Sequence, residues 1–75
     1  MAAPTTLAIG LVGYGEVGKI LTAALVERKA GWVGAWDILL ADSAAGATMK
    51  AHASRTGVEA VASMSALTAR ADVII

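Results

Sequence analysis

Three glycines and one aspartate carry the chemistry for which this sequence can be read. Gly13, Gly15 and Gly18 fall in the pattern Gly-x-Gly-x-x-Gly, and Asp37 follows Gly18 by nineteen residues. A glycine at the first position lets a chain turn sharply off a strand. At the second, the missing Cβ lets an anion approach the backbone, and at the third it lets the next helix sit close to the strand. The free N–H groups and positive dipole end of that helix then face the anion. Asp37 stands where a carboxylate accepts hydrogen bonds from ribose hydroxyls. The set describes half of a dinucleotide cradle, with pyrophosphate on the glycine turn and the adenosine ribose on the carboxylate.

The residues between and beside these positions complete the candidate cofactor-binding set: Gly13, Tyr14, Gly15, Glu16, Val17, Gly18, Asp37 and Ile38. The Tyr14 ring is expected either over the phosphates or towards solvent. Glu16 falls in the first helical turn, where negative charge suits the dipole, and is expected in solvent. Ile38 either lines an adenine pocket or packs in the core. Trp36, on the opposite face from Asp37, is expected in the core. Asp37 would repel a 2′-phosphate, and the four residues after it contain no Arg or Lys. NAD is therefore preferred over NADP.

The remaining polar residues point to no second chemistry. His52 is the only histidine and has no Cys or acidic cluster nearby, so it reads as a surface residue and not as a metal ligand or catalytic base. Ser43, Ser54, Ser63 and Ser65 lack the strand–nucleophile–helix setting of a hydrolase elbow. Lys19, Lys29 and Lys50 read as solvated helix faces. No Gly-Lys-Ser/Thr follows the glycines, which excludes a P-loop. No metal site and no general acid or base is assigned.

The elements needed to hold these residues are legible as hydrophobic patterning. Residues 7–12 form an apolar run, read as a buried first strand. Residues 16–29 are helical, with Val17, Ile20, Leu21, Ala24 and Leu25 on one face and Gly31 as a stop. Residues 31–37 read as a second strand, with Trp32 and Trp36 on one face and Val33, Ala35 and Asp37 on the other. Asp42 and Ser43 cap a weaker helix over 44–55, with Ala45, Met49 and Ala53 inward and Gly57 closing it. Residues 58–61 form a short third strand. Ser63 or Ser65 caps a helical turn through 69 or 70, and residues 72–75 open a fourth strand. The order β-α-β-α-β-(α)-β predicts an α/β, Rossmann-type parallel sheet of spatial order 3-2-1-4, with the ligand crevice beside the end of the first strand.

The 75 residues are 57% hydrophobic, 16% charged and of zero net charge, with no cysteine. That is too apolar for disorder and suits strands buried on both faces. No basic footprint points to nucleic acid or an anionic membrane. No stretch approaches the ~20 apolar residues of a membrane span. The leader, residues 1–6, carries no Lys or Arg, which argues against a signal peptide, and is expected to be flexible. The absence of cysteine fits a cytoplasmic protein. A chain this short has a marginal core, so the sequence is expected to be the amino-terminal portion of a larger dinucleotide-binding domain. Its apolar last strand suggests self-association into a homo-oligomer.

From Ile9 to Gly18 the chain reads Ile-Gly-Leu-Val-Gly-Tyr-Gly-Glu-Val-Gly. This resembles the 6-phosphogluconate dehydrogenase and β-hydroxyacid dehydrogenase family, whose amino termini read Ile-Gly-Phe/Leu-Ile-Gly-Leu-Gly-x-Met-Gly. The resemblance continues at Trp36-Asp37 and at Arg70-Ala71-Asp72-Val73-Ile74-Ile75, which is similar to the family's Ala-Asp-Val-Val/Ile-Ile. Tyr14 replaces the usual Leu and Val17 the usual Met. The Asn-Arg-Thr that NADP-using members carry after the second strand is replaced by Asp37-Ile38-Leu39. The chain is most similar to 6-phosphogluconate-dehydrogenase-like NAD-binding proteins, and prephenate dehydrogenases and pyrroline-carboxylate reductases open similarly.

The resemblance implies that Gly13, Gly15, Gly18 and Asp37 contact the cofactor, and that the catalytic lysine and substrate loops lie beyond Ile75. It implies an oxidoreductase that transfers hydride between a nicotinamide cofactor and a small hydroxy acid. The alternative is a regulatory domain that senses a nucleotide without chemistry.

Overall fold

The computed structural model describes residues 6–75. The leader expected over residues 1–6 therefore lies outside the described residues, apart from Thr6. The chain forms β1 (Ala8–Val12), α1 (Glu16–Glu27), β2 (Trp32–Trp36), a 3-10 turn (Ile38–Ala41), α2 (Ser43–Thr56), β3 (Glu59–Ala60), α3 (Met64–Arg70) and β4 (Val73–Ile74). All strand pairs are parallel, and the order across the sheet is β3-β2-β1-β4. This is the expected α/β arrangement, a partial Rossmann-like fold.

Local chemistry explains where the elements stop. Gly57 takes a left-handed backbone, φ 79°, and closes α2. The Asp42 carboxylate caps the other end of α2 by accepting from the N–H groups of Ala44 and Ala45. Ser63, not Ser65, caps α3 through the Ala66 N–H. The segment after Asp37 does not prolong β2. It winds into the 3-10 turn because the Asp37 side chain accepts from the Leu39 N–H.

One face of the sheet carries the main core. Ile9 and Leu11 of β1, Val33 and Ala35 of β2, and Val58 pack with Tyr14 and Ala53, against Leu25 and Val26 of α1 and Met49 of α2. On the other face Leu67 of α3 is fully buried, and a Cβ on Gly10 would lie 2.8 Å from its Cδ1. Glycine in mid-strand is what lets α3 dock there. Trp32 folds its ring over Gly34 on that same face, under the guanidinium of Arg70, 4.9 Å from the ring centre.

The inward face of α1 differs from the apolar stripe in the sequence. Val17, Ile20 and Leu21 are exposed, and Thr22 is the buried residue of the helix. The cause is the glycine turn: a Cβ on Gly18 would collide with the carbonyl oxygen of Gly13. That backbone approach sets the rotation of α1 and turns Gly18, Thr22, Leu25 and Val26 inward. The Thr22 hydroxyl is satisfied by donating to the Lys19 carbonyl at 3.1 Å. Among the described residues no helix is long and apolar enough to cross a membrane.

Candidate functional site at the glycine turn

The turn between β1 and α1 lies at the C-terminal end of the central strand. Gly13 adopts φ 105°, a backbone that only glycine takes at low cost, and its N–H donates to the Trp36 carbonyl at 2.7 Å. Gly15 is the residue before α1, and no side chain caps the helix there. A Cβ on Gly15 would meet nothing within 4 Å. The first N–H groups of α1 have no intrahelical partner, and they open onto an unobstructed approach. A groove of about 440 Å³ runs past Gly13, Gly15 and Gly18 between Val12, Val17 and Ile75. That volume falls within the range of small-molecule sites.

Asp37 stands at the end of β2, beside this turn. Its Oδ2 accepts the Tyr14 N–H at 2.7 Å and its Oδ1 accepts the Leu39 N–H at 2.9 Å. These two amide donors, Tyr14 first, hold the carboxyl below its ordinary value, against a smaller opposing effect of burial. An ionised carboxylate has about four acceptor positions. With two filled by amides, each oxygen keeps capacity for a hydroxyl donor. On the far side of Asp37 a second cleft, about 370 Å³, is lined by Trp36, Ile38, Ala62 and Met64.

Several residues sit differently from the sequence reading. The Tyr14 ring lies neither over the turn nor in solvent: it is 1% exposed and belongs to the core. Tyr14 reaches the site only through its backbone. Burying the ring requires a partner for its hydroxyl, and His52 Nδ1 supplies one at 2.7 Å. His52 is thus half-buried and bonded rather than a surface residue. Ile38 is 76% exposed, which removes the core reading and leaves it on the cleft wall. Trp36 is half-buried on that wall, not in the core, because the face of β2 at its end opens into the cleft beside Ala62, Ser63 and Met64. Glu16 and Val17 are exposed at the groove.

Lys50 is exposed, as its sequence suggests, and has a further place that the sequence does not reveal. This α2 residue lines the same cleft as Asp37, and no local pattern could have placed it there. Among the described residues no group of three or more His, Cys, Asp or Glu could hold a metal ion.

Comparison of the chain with protein-family models, with curated proteins and with solved structures finds no match. The functional reading rests on the geometry of the turn and on the resemblance of its motif.

Proposed function

We propose that this chain is the NAD-binding part of an oxidoreductase that transfers hydride between a nicotinamide cofactor and a small hydroxy acid. One observation carries the reading: the glycine turn, open at Gly15 and at the uncapped start of α1, is joined to the Asp37 carboxylate by the 2.7 Å bond from the Tyr14 amide. An anion acceptor and a hydroxyl acceptor thus form one rigid unit at the C-terminal edge of a parallel sheet, where such sheets bind nucleotides.

The donor set fits the cofactor. On the turn that Gly13 shapes, Gly15 and the first amides of α1 would hold the pyrophosphate, Asp37 the adenosine ribose, and Ile38 the adenine side. The bound nicotinamide supplies the hydride chemistry. This chain binds and orients, and no residue of it is assigned a catalytic role. Negative charge at Asp37 favours NAD over NADP. The resemblance to the β-hydroxyacid dehydrogenase family supports the substrate class.

The test is a titration of the chain with NADH and with NADPH, followed by tryptophan fluorescence, since Trp36 lies on the cleft wall beside Asp37. Saturable NADH binding, tighter than NADPH and weakened in Asp37→Ala, is the expected result. Failure of both the chain and longer forms of the protein to bind would overturn the reading.

A further inference from the structure

Tyr14 is among the largest side chains that this fold buries completely, yet it sits in the middle of the glycine turn. It is anchored at both ends. Its backbone N–H donates to Asp37 at the end of β2, and its hydroxyl meets His52 Nδ1 on α2 at 2.7 Å. The two rings meet edge-on, with centres 5.5 Å apart and planes at 64°. Nδ1 is the one hydrogen-bond partner of the hydroxyl among the described residues. The hydroxyl can donate to the ring nitrogen or accept from it, according to the imidazole tautomer.

The neighbours of Tyr14 make these anchors matter. Gly13 and Gly15 flank it, and glycine leaves a backbone free to take many conformations. Tyr14 is the residue between them, so its ring is the side chain that ties this part of the turn to the core, beside the backbone bonds from Gly13 to Trp36 and from Tyr14 to Asp37. Its neighbours in the core cluster are apolar, and the hydrogen bond to His52 adds a directional contact at the far end of the ring.

We propose that His52 is a positioning residue for the glycine turn: by holding the Tyr14 ring from α2, it fixes the backbone that presents the Tyr14 amide to Asp37 and keeps the approach to α1 open. Its purpose rests on the dinucleotide reading above, whereas its effect on the turn does not. The residue is set apart from the chemistry of the site and reaches it only through Tyr14.

The experiment measures two things on the full chain: amide hydrogen exchange by NMR, and NADH affinity by tryptophan fluorescence. The variants are Tyr14→Phe, which keeps the ring, His52→Leu, and His52→Asn, whose Oδ1 can stand in for Nδ1. Tyr14→Phe and His52→Leu are expected to speed exchange at the Tyr14 amide roughly tenfold, the scale of one lost buried hydrogen bond. Exchange at Leu11 and Val33, inside the sheet, should stay unchanged. NADH affinity should fall by a similar factor, and His52→Asn should restore both. Exchange that rises uniformly through the sheet, or does not change at Tyr14, would overturn the proposal and make the pair a packing contact only. If neither the unaltered chain nor longer forms of the protein bind NADH while Tyr14 exchange still rises selectively, the dinucleotide reading fails and the strut on the turn stands. If His52→Leu does not fold, Tyr14→Phe carries the same comparison.

Discussion

The amide of Tyr14 and the carboxylate of Asp37, twenty-three positions apart, meet at 2.7 Å. The bond joins the turn after β1 to the end of β2, the two places from which a dinucleotide would be held. Asp37 therefore has a task within the protein beside the one proposed for it towards a ligand. Replacing it by Ala removes both. NADH affinity in Asp37→Ala is expected to fall about 10- to 100-fold, the range for hydrogen bonds to a charged group. Fluorescence titration measures this. Asp37→Asn keeps an acceptor for one amide and should lose less.

The same bonds give stability an acid dependence. The Asp37 carboxyl is held below its ordinary value of 3.8, first by the Tyr14 amide and then by that of Leu39. A depressed folded-state value means that the unfolded chain takes up the proton first as pH falls. The stabilisation is complete above the ordinary value and is lost as pH drops through the lower, folded one. Urea melts of the chain and of Asp37→Asn between neutral pH and strong acid should show a gap at neutral pH that closes on the acid side. A gap independent of pH would remove the carboxylate from the account.

The glycines of the turn separate folding from binding. Gly18→Ala drives a Cβ into the backbone of Gly13 and is expected to cost about 1–3 kcal/mol by overpacking. Gly13→Ala must hold φ 105° and is expected to cost about 1–2 kcal/mol. At Gly15 the backbone is extended and the space around a Cβ is empty, so Gly15→Ala should stay within about 0.5 kcal/mol of the parent. That same Cβ fills the space proposed for pyrophosphate, so NADH affinity should fall roughly tenfold or more. Denaturant melts and titrations on the three variants check the pattern.

Lys50 tests the cofactor preference. It lines the cleft that begins at Asp37 and is the only cation there among the described residues. With Asp37 governing the choice, Lys50→Ala should leave NADH affinity within about twofold, the scale of an exposed charge. NADPH binding, weak in the parent, should weaken further. An NADPH affinity equal to that for NADH in the parent, abolished in Lys50→Ala, would instead make Lys50 the seat of a 2′-phosphate.

Features set by neighbouring residues were legible in the sequence. The glycine spacing, Asp37 at the end of an apolar run, the Asp42 cap and the Gly57 stop each act within a few positions, and the parallel order 3-2-1-4 follows from their alternation. Features set by approach across the fold were not. Tyr14 reads as a loop residue because nothing near it in sequence reveals that α2 will offer His52 to its hydroxyl. Lys50 is solvated as its sequence suggests, but the cleft it borders is built by β2, the 3-10 turn and the segment before α3, which no local pattern reveals.

The face of α1 is the clearest case, and it can be tested by two substitutions of opposite expectation. Read as a stripe, Val17, Ile20 and Leu21 belong inside, so Ile20→Lys should be severe and Thr22→Leu should help. The structure reverses both signs. Ile20 is 67% exposed, whereas Thr22 is 1% exposed, with its hydroxyl already bonded to the Lys19 carbonyl. Ile20→Lys should stay within about 0.5 kcal/mol of the parent. Thr22→Leu forces a larger branched side chain between α1 and the sheet, where the contact of Gly18 with Gly13 prevents the helix from backing away, and should cost about 1–3 kcal/mol. Urea melts of the two variants decide between the stripe and the turn as the element that sets the rotation of α1.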